Sequence, residues 1–531
     1  MGSQKTSKLN WIMPDVLLPE IPDHSVWLTD FGATGDGRAD NTQAFCLAME
    51  ACANAGGGRV IIPPGLWLTG PLKLTSRLEL HAMAGAVVLF SKQYEDYPLI
   101  SSHFEGKPSV RCQSPLDAEG AEHVAITGKG VFDGGGEAWR PVKRWKMTEM
   151  QWERLIRSGG IVDKAEEVWW PTAAAMEGAG QFDRLHREGK QEAADYLPCR
   201  EYLRPNLLSF RKCSRILLDG PTFQNSAAWN LHPWASEHLT IRNVTVRNPW
   251  FAQNGDGLDI DSCRHAVVES CTFDVGDDAI CMKSGKDEAG RALGIPSEYI
   301  AIRNCIVYHG HGGFVIGSEM SGGVRRVHIS DCTFMGTDIG LRFKSARGRG
   351  GVVEDIVIER IHMTDIAGDA ISFNLFYEGV EGSGTVREES FPVTEETPVF
   401  RNILMKDINC TGGEHAFLVN GLAELPLEGV SVHNYTATTR RGVVCHHVKR
   451  LTLEDIRLYT TEGPLVKLHQ SQDVDIIRLA GAGGQDDGTM LAVTGGKSAR
   501  IECLDPLTAD THRSVSAVSG VDVRVTGPVS R

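Results

Sequence analysis

Residues 239–244, Leu-Thr-Ile-Arg-Asn-Val, carry a short pattern that recurs along the second half of this chain and decides its fold. Apolar and polar residues alternate within each copy, which is typical of a β-strand. Gly, Asn and Asp separate the copies and predict turns. The copies begin at Ile216, Leu239, Ala266, Ile300, Val327, Ile356 and Ile403, with weaker copies at Val430 and Leu451, at intervals of 21 to 47 residues.

Short strands without helical connections cannot pair in parallel within a flat sheet, because parallel neighbours need long crossovers. Coiling the chain so that each copy stacks on the one before it removes this difficulty. We therefore predict an all-β chain folded as a right-handed parallel β-helix, a solenoid whose coils share one core. The 531 residues are 41% hydrophobic and only 7% aromatic, with 58 glycines, which suits a large core of small stacked side chains joined by tight turns.

Three parts of the chain follow from this repeat: an N-terminal extension (1–26), the solenoid (27–480), and a C-terminal end or tail (481–531) in which 517–525 predicts a strand. Residues 43–54 follow Asp40 and Asn41 and precede three glycines, so they predict a helix that caps the first coil.

Two insertions interrupt the solenoid, at 134–206 and 378–397. The first contains five tryptophans, which argues for a packed structure beside the solenoid rather than a disordered loop. Within it, 149–157 and 178–196 predict helices. The second insertion is acidic and contains Gly and Pro.

Composition excludes several classes of protein. No apolar run reaches 18 residues, so we expect no membrane span, and a net charge of -14 without a basic stripe argues against a nucleic-acid partner. Thirteen cysteines without a Cys-x-x-Cys pair predict no metal site. Instead, Cys271, Cys305 and Cys332 occupy equivalent repeat positions and predict a stacked interior ladder. The oligomeric state stays open.

The first residues lack the apolar segment of a signal peptide. Two locations therefore stay open. A replaced leader would place the protein in the periplasm or outside the cell, and otherwise we expect a cytoplasmic protein.

Acidic, basic and histidine residues recur at intervals of about one coil between 254 and 344. They lie in four motifs: Asn254-Gly255-Asp256, Asp277-Asp278, His311-Gly312-Gly313 and Arg342-Phe343-Lys344. Stacked strands lie about 4.8 Å apart, so residues one repeat apart line one face. Three carboxylates this close cannot all ionise readily, and one pKa should rise. An acid beside ionised carboxylates is the arrangement that glycoside hydrolysis needs.

This ordered set resembles glycoside hydrolase family 28, the polygalacturonases, and the similarity extends over roughly 27–480. The resemblance implies the pectin-lyase-like solenoid and hydrolysis of α-1,4-galacturonosyl bonds with inversion, without a cofactor or a metal. It implies that Asp277 is the general acid, that Asp256 and Asp278 activate water, and that His311 holds the acid's geometry and protonation. The residues that it implies for substrate binding are Asn254, Arg342, Lys344 and Tyr377.

Gly255, Gly313 and Phe343 depart from the commonest residues of the family and resemble its bacterial, exo-acting members. Exo action requires a cleft that is blocked at one end, and we predict that insertion 134–206 blocks it while 378–397 walls the other side. Three tryptophans near the motifs have alternative roles as core, wall or sugar platform: Trp229, Trp234 and Trp250.

The expected partner is a pectic polysaccharide or oligosaccharide, either homogalacturonan or, as an alternative, a rhamnogalacturonan. Pectate lyase chemistry on the same solenoid is a second reading, which would need a calcium site and would release an unsaturated product. A non-catalytic polysaccharide-binding solenoid is a third.

Overall fold

The computed structural model describes residues 15–190, 192–377, 388–483 and 489–495, together with three later strands, Ala499–Leu504, Val515–Ala517 and Val523–Thr526. Residues 1–14 and residues 378–387 of the second predicted insertion lie outside the described part. The described chain forms the predicted right-handed parallel β-helix. None of its helices has the length and apolar character needed to cross a bilayer.

One long parallel sheet, here called sheet A, folds around two sides of the solenoid. In its first coils it consists of two columns of strands. From 324 onwards each coil contributes a single longer strand, and the first of these, Val324–Met335, pairs with both columns. The first column contains Ser25–Trp27, Gly58–Ile62, Leu78–Ala82, Glu122–Gly128, Ser214–Asp219, Glu237–Arg242, Arg264–Glu269 and Ser297–Arg303. The second contains Asp36–Asp40, Gly65–Thr69, Ala86–Phe90, Val131–Asp133, Thr222–Gln224, Thr245–Arg247, Thr272–Asp274 and Ile306–Val307. The longer strands are Val324–Met335, Val352–Thr364, Val399–Thr411, Leu427–Thr439, Val448–Thr460 and Gln472–Ala482, followed by Ala499–Leu504 and Val523–Thr526.

The remaining side of the solenoid is a second parallel sheet, here called sheet B. Its strands are Leu72–Lys73, Leu116–Glu119, Leu208–Arg211, Leu231–Trp234, Leu258–Asp261, Asp278–Lys283, Gly312–Ile316, Leu341–Lys344, Ile371–Asn374, His415–Asn420, Arg441–His446, Val466–His469, Leu491–Thr494 and Val515–Ala517. The outer face of sheet B carries the charged motifs.

The repeat found in the sequence is the register of sheet A. Each repeat start pairs with the next one, in the series Ile216, Leu239, Ala266, Ile300, Val327, Ile356, Ile403, Val430 and Leu451. All nine side chains are 2% exposed or less. Their burial explains why the register is so well defined, since a slip of one residue would turn every apolar side chain outwards.

The corners between the two columns of sheet A contain one residue per coil in the left-handed region. Asn243, Asn304, Asp331 and Asp407 have φ between 55° and 57°. Asn and Asp tolerate this conformation better than other residues with a side chain, which is why they were visible in the sequence as turn residues. The cysteine ladder is also confirmed, because Cys271, Cys305 and Cys332 are all buried in the shared core.

The helices are Thr42–Asn54, Glu149–Arg157, Ala173–Arg187 and Asp287–Leu293, with 3-10 segments at Leu28–Phe31, Tyr94–Asp96, Gly136–Ala138, Arg144–Lys146 and Ala193–Tyr202. The N-terminal helix covers the first coil as predicted, with Phe45 fully buried. Asn41 occupies its cap position without a capping side-chain bond, and the Asp40 carboxylate accepts a hydrogen bond from the Thr42 N–H instead.

Two boundaries predicted from the sequence are wrong. The second helix of insertion 134–206 begins at Ala173, where the Thr172 hydroxyl caps it, and ends near Gly189, which has a φ of 72°. A separate 3-10 segment, Ala193–Tyr202, follows. The predicted strand 517–525 is also not continuous, because Val515–Ala517 belongs to sheet B and Val523–Thr526 to sheet A.

Two small antiparallel units lie outside the solenoid sheets. One is the three-stranded sheet of Val142–Lys143, Ile161–Asp163 and Val168–Trp170, inside the first insertion. The other is the hairpin of Leu99–Phe104 and Lys107–Cys112. No motif or periodicity in the sequence indicates this hairpin.

Candidate active site

Four successive strands of sheet B bring the sequence motifs together. Asp278 pairs with Gly312 and Val315 pairs with Arg342, while the strand after Asp256 pairs with the strand after Asp277. Parallel neighbours are about 4.8 Å apart, so side chains that are 20 to 35 residues apart in the chain become neighbours on one face.

The three aspartates of the motifs meet at this face. One carboxylate oxygen from each of Asp256, Asp277 and Asp278 lies within 4.8 Å of the others. Asp256 is 3% exposed and Asp278 is 1% exposed, whereas Asp277 is only partly buried. A ligand lying on the face can therefore reach Asp277 most directly.

Asp278 is held in its ionised form by two cations. Its carboxylate accepts hydrogen bonds from Lys344 Nζ at 2.6 Å and from Arg342 Nη1 at 3.3 Å. Burial acts to raise the pKa of Asp278, but the charges of Lys344 and Arg342 outweigh burial and hold the pKa well below its usual range. The structure therefore explains the basic motif as the counter-charge of the acidic one.

Asp256 behaves in the opposite way. Burial, and then the negative charges of Asp277 and Asp259, raise the pKa of Asp256 well above its usual range. Its Oδ1 atom has no hydrogen-bond partner among the described residues. The sequence predicted a raised pKa for one of the three acids, and in the structure this acid is Asp256, a buried neighbour of Asp277.

A buried lysine that belongs to no sequence motif lies behind the three acids. Lys283 Nζ is 3.4 Å from Asp259 Oδ1, 3.5 Å from Glu319 Oε2 and 3.9 Å from Asp256 Oδ2. The contact with Asp259 has ion-pair distance without hydrogen-bond geometry, since both Asp259 oxygens lack a hydrogen bond. Burial raises the pKa of Asp259 to about 8, although the charge of Lys283 opposes the rise.

His311 is held from both sides of its ring. Its backbone N–H donates to the Asp277 carbonyl at 2.9 Å. Nδ1 contacts the carboxylate of Asp338, and Nε2 lies 3.3 Å from Lys146 Nζ. Because a lysine ammonium only donates, Nε2 accepts this hydrogen bond and Nδ1 carries the proton shared with Asp338. This arrangement supports a fixed orientation of His311 beside Asp277.

Sequence reasoning missed Lys146 and Asp338. Asp338 follows His311 by 27 residues, one coil later, and this spacing could have indicated it. Lys146 comes from insertion 134–206, outside the repeat, so no periodicity points to it. A small apolar core that includes Trp152 and Trp169 packs the insertion against Phe251 and places Lys146 at the site.

The predicted substrate-binding residues differ in their surroundings. Tyr377 lies with its ring centre 4.9 Å from Lys344 Nζ and 5.7 Å from Arg342 Cζ, so it borders the basic pair. Asn254 has a left-handed backbone, and its side-chain oxygen accepts a hydrogen bond from the buried Arg204 at 2.8 Å. In this structure the Asn254 side chain is therefore engaged by the protein.

The hairpin Leu99–Cys112 covers the outer face of sheet B on the coils before Asp256. The ring of His103 stacks on Trp234 with centroids 3.9 Å apart, and Phe104 stacks on Trp229 at 5.4 Å. Lys283 Nζ lies 4.1 Å from the centre of the Trp229 ring, which links the hairpin to the acidic cluster. Trp229 and Trp234 are thus covered wall residues, at 2% and 4% exposure.

Two neighbouring elements support the hairpin. At its tip, the Gly106 carbonyl accepts a hydrogen bond from the Lys286 N–H, and Lys107 pairs with Asp287 at 2.9 Å. Its base packs with the helical part of insertion 134–206, in a buried cluster that contains Val110, Cys112, Tyr196, Cys199 and Leu203. The hairpin covers this end of the face and the insertion supports the hairpin, so that the blocking of the cleft by insertion 134–206 stays a prediction.

Beyond Tyr377, residues 388–397 lie against the later coils. The Glu388 carboxylate contacts His469, and Arg347 lies over the ring of Phe391 at 4.5 Å. Arg347 is in turn held by Glu424 at 2.6 Å. The described part of the second insertion therefore lies on the coils that follow the site.

A cavity of about 980 Å³ opens sideways from the site, at the turns that precede the strands of sheet B. His311, Asp338 and Lys146 form the part nearest the acids, and two exposed tryptophans form its rim. Trp145 is 74% exposed and Trp250 is 47% exposed. The volume is at the upper end of the range for small-ligand sites.

Comparison with known proteins gives a consistent result. The family model described as "Glycosyl hydrolases family 28" matches residues 162–452. A "Probable polygalacturonase" from Vitis vinifera is 28% identical over 78% of this chain and 74% of its own length. The "Exo-poly-alpha-D-galacturonosidase" of Dickeya chrysanthemi is 26% identical over 74% of this chain, which spans 64% of that relative's length.

Solved structures are also similar to this chain. The exopolygalacturonase from Thermotoga maritima is 33% identical with a TM-score of 0.71, over 83% of this chain and 93% of its own. The family 28 exopolygalacturonase of Yersinia enterocolitica has a TM-score of 0.67 at 20% identity, over 87% of this chain and 79% of its own, and supports the fold alone.

Proposed function

This chain belongs to glycosyl hydrolases family 28, and from that premise we propose that it is an exo-acting, inverting polygalacturonase. The chain is a glycoside hydrolase of the polygalacturonase family. The residue roles, the mode of attack and the substrate are the parts that we propose.

The observation that carries the proposal is the unequal environment of the three aspartates. Lys344 and Arg342 keep Asp278 ionised. Burial favours the protonated form of Asp256. Asp277 is only partly buried and is the acid that a ligand can reach. Strongly interacting carboxyls titrate as a unit, so the proton belongs to the cluster as a whole. We assign Asp277 as the general acid that protonates the glycosidic oxygen, and Asp256 with Asp278 as the groups that orient and deprotonate water.

Carboxyl spacing and charge pairing point to different stereochemical outcomes. Inverting glycosidases usually separate their two carboxyls by about 6.5–9.5 Å, and retaining ones by about 5 Å, whereas these three acids offer oxygens within 4.8 Å. We give more weight to the pairing. Both Asp278 oxygens bind cations, which suits a carboxylate that holds a water and disfavours one that attacks carbon.

Exo action is supported by the elements at both ends of the site. The hairpin Leu99–Cys112 covers the preceding coils, and 388–397 borders the later ones. The wide opening is the cavity at the side, beneath Trp145 and Trp250. A polymer cannot lie along the covered coils, so a chain end is the part that fits.

The substrate is proposed from the cations at the site. Arg342 remains partly exposed beside Tyr377 and presents a planar fork that matches a carboxylate. This local positive charge offsets the net charge of -14, which acts weakly beyond about 8 Å at physiological salt. We therefore propose a galacturonan chain end as the substrate, with rhamnogalacturonan as the alternative.

Digestion of a size-defined oligogalacturonide series tests this proposal. We expect each oligomer to lose one residue or a short fragment from one end, with saturated products and a slow early fall in the viscosity of polygalacturonate. Mixed internal fragments with a rapid fall in viscosity would contradict exo action. An unsaturated, ultraviolet-absorbing product would contradict hydrolysis and support the lyase reading.

A further inference from the structure

We propose that Lys146, supplied by insertion 134–206, binds a second substrate carboxylate, so that the enzyme recognises two adjacent uronates across the scissile bond. This inference rests on the proposed function and extends it to the substrate class. It makes Lys146 a specificity-determining residue, which no motif of the sequence indicates.

The first support is the burial of Lys146 without a counter-ion. The residue is 5% exposed, yet no carboxylate in the described ranges lies within 4.0 Å of its Nζ. Lys283 and Lys344, the other buried lysines of the site, pair with the carboxylates of Glu319 and Asp278. A buried charge is costly unless it is paired, and the carboxylate of a bound uronate would supply the missing partner.

The donor geometry of Lys146 leaves room for such a ligand. Its ammonium contacts His311 Nε2 at 3.3 Å and the Gly276 carbonyl at 3.4 Å. An ammonium has three N–H donors, so these two contacts leave one for a ligand. Burial lowers the pKa of Lys146, and the charges of Asp277 and Asp338 offset only part of this effect, so that a ligand carboxylate would stabilise the charged form.

The second support is the cavity on which Lys146 borders. Its rim carries Trp145 and Trp250, two tryptophans with large exposed areas, beside polar groups and the imidazole of His311. An aromatic face with a few convergent polar groups is the usual composition of a small-ligand site. The flat rings and the cation together suit a sugar that carries a carboxylate.

The third support is the position of Lys146 relative to Asp277. Lys146 contacts the carbonyl of Gly276, directly before the acid, and Arg342 contacts the carboxylate of Asp278, directly after it. The two cations therefore contact the residues that flank Asp277 in the chain, through separate groups of the protein. A substrate bound at Asp277 lies near both cations, which favours consecutive uronates over a uronate next to a neutral sugar.

The test compares digalacturonate with its two monomethyl esters, one on each sugar, as substrates of the full chain. In the wild type, each ester removes one carboxylate and should reduce kcat/KM by roughly 10- to 100-fold, the effect of one charge-assisted hydrogen bond. Lys146→Met should lose discrimination against one ester while it keeps discrimination against the other. Lys146→Arg should restore most of the lost discrimination.

Lys143→Met is the matched control, because Lys143 lies three residues earlier in the same insertion and is only partly buried. It should leave the pattern of the wild type unchanged. If Lys146→Met lowers kcat/KM equally on all three substrates, or on none, Lys146 acts on His311 or on the fold and the inference is wrong. If the wild type hydrolyses longer oligogalacturonides but none of the three disaccharides, two uronates do not suffice for recognition, and the inference is wrong while the proposed function stands. Failure to hydrolyse the longer oligogalacturonides as well would contradict the proposed function itself.

Discussion

Charged side chains stack from coil to coil on both sheets of this solenoid. On sheet A they form exposed ion pairs, and on sheet B they form a buried cluster at the candidate active site. On sheet A, six arginines pair with acids of the preceding coil and stay in contact with solvent, each with more than a third of its side chain exposed. The pairs are Arg242–Asp219, Arg264–Glu237, Arg303–Glu269, Arg325–Glu298, Arg360–Asp331 and Arg401–Glu354.

On sheet B the equivalent stacking brings Asp256, Asp278, Lys283 and Lys344 together, and all four are buried. Exposed ion pairs contribute little because water screens them, whereas burial makes charges interact strongly and moves their pKa values apart. The comparison shows that the β-helix brings charged side chains of successive coils close together on both sheets. On sheet B, covering elements bury these charges, so that they interact strongly and can act as a reactive cluster.

The largest expected effect separates the charges of the two sheets by activity. Asp277→Asn keeps the shape of the side chain but has no acidic proton, so we expect turnover of oligogalacturonides to fall by about 10²- to 10⁴-fold, with thermal stability nearly unchanged. The control is Asp331→Asn on sheet A, which should keep full activity. Near-normal turnover in Asp277→Asn would remove Asp277 from the role of general acid.

The second effect separates the charges of the two sheets by stability. Lys344→Met leaves the buried Asp278 carboxylate with Arg342 as its main counter-charge, and we expect the free energy of unfolding to fall by about 3 kcal/mol. Arg360→Met removes an exposed partner of Asp331 and should cost less than about 1 kcal/mol. Urea unfolding of both variants measures the difference, and equal losses would show that burial does not distinguish the charges of the two sheets.

The third effect concerns pH. Burial raises the pKa of Asp259 to about 8 in the folded protein, so between about pH 4 and pH 8 the folded state holds a proton that the unfolded state has released. Stability from this group is therefore present at low pH and is lost as the pH rises through that window. Asp259→Asn should make the variant progressively more stable relative to the wild type from pH 4 to pH 8.

Asp331→Asn is the control for this pH series. Its ion pair with Arg360 lowers the pKa of Asp331 to about 2, and this group titrates below the window. A constant difference in melting temperature between Asp259→Asn and the wild type across the window would contradict the raised pKa.

The smallest effect expected is none at all. Three carboxylate oxygens within 4.8 Å could in principle bind a cation, but Lys344 and Arg342 already neutralise Asp278. We therefore expect activity to survive extensive treatment with a chelator. Loss of activity that calcium restores would support lyase chemistry at the same face.

Much of the fold could be predicted because equivalent positions of successive repeats pair with one another in sheet A. The starts from Ile216 to Leu451 pair one with the next, since each must bury an apolar side chain in the same core. Helix Glu149–Arg157 was also predicted to the residue. The helix at Ala173 and the split strands near 517–525 were not, because these ends depend on a cap, a glycine and a change of sheet rather than on periodicity.

The site was predictable where its residues follow the repeat. Asp256, Asp277, Asp278, His311, Arg342 and Lys344 do meet on one face, and their catalytic and binding roles remain proposals. The hairpin that covers Trp229 and Trp234 and the insertion that delivers Lys146 were missed, because long-range packing places them and no spacing in the sequence records it. The location of the rise in pKa likewise depends on burial, which a motif does not reveal.

The stereochemistry of the first product tests the central claim most directly, because it depends on Asp278 holding a water rather than attacking carbon. Proton NMR of trigalacturonate during the first minutes of digestion follows the new reducing end. We predict a saturated product that appears first as the β-anomer, the inverted configuration, and then equilibrates. Initial appearance of the α-anomer would show retention through a covalent intermediate and would contradict the account of the buried cluster.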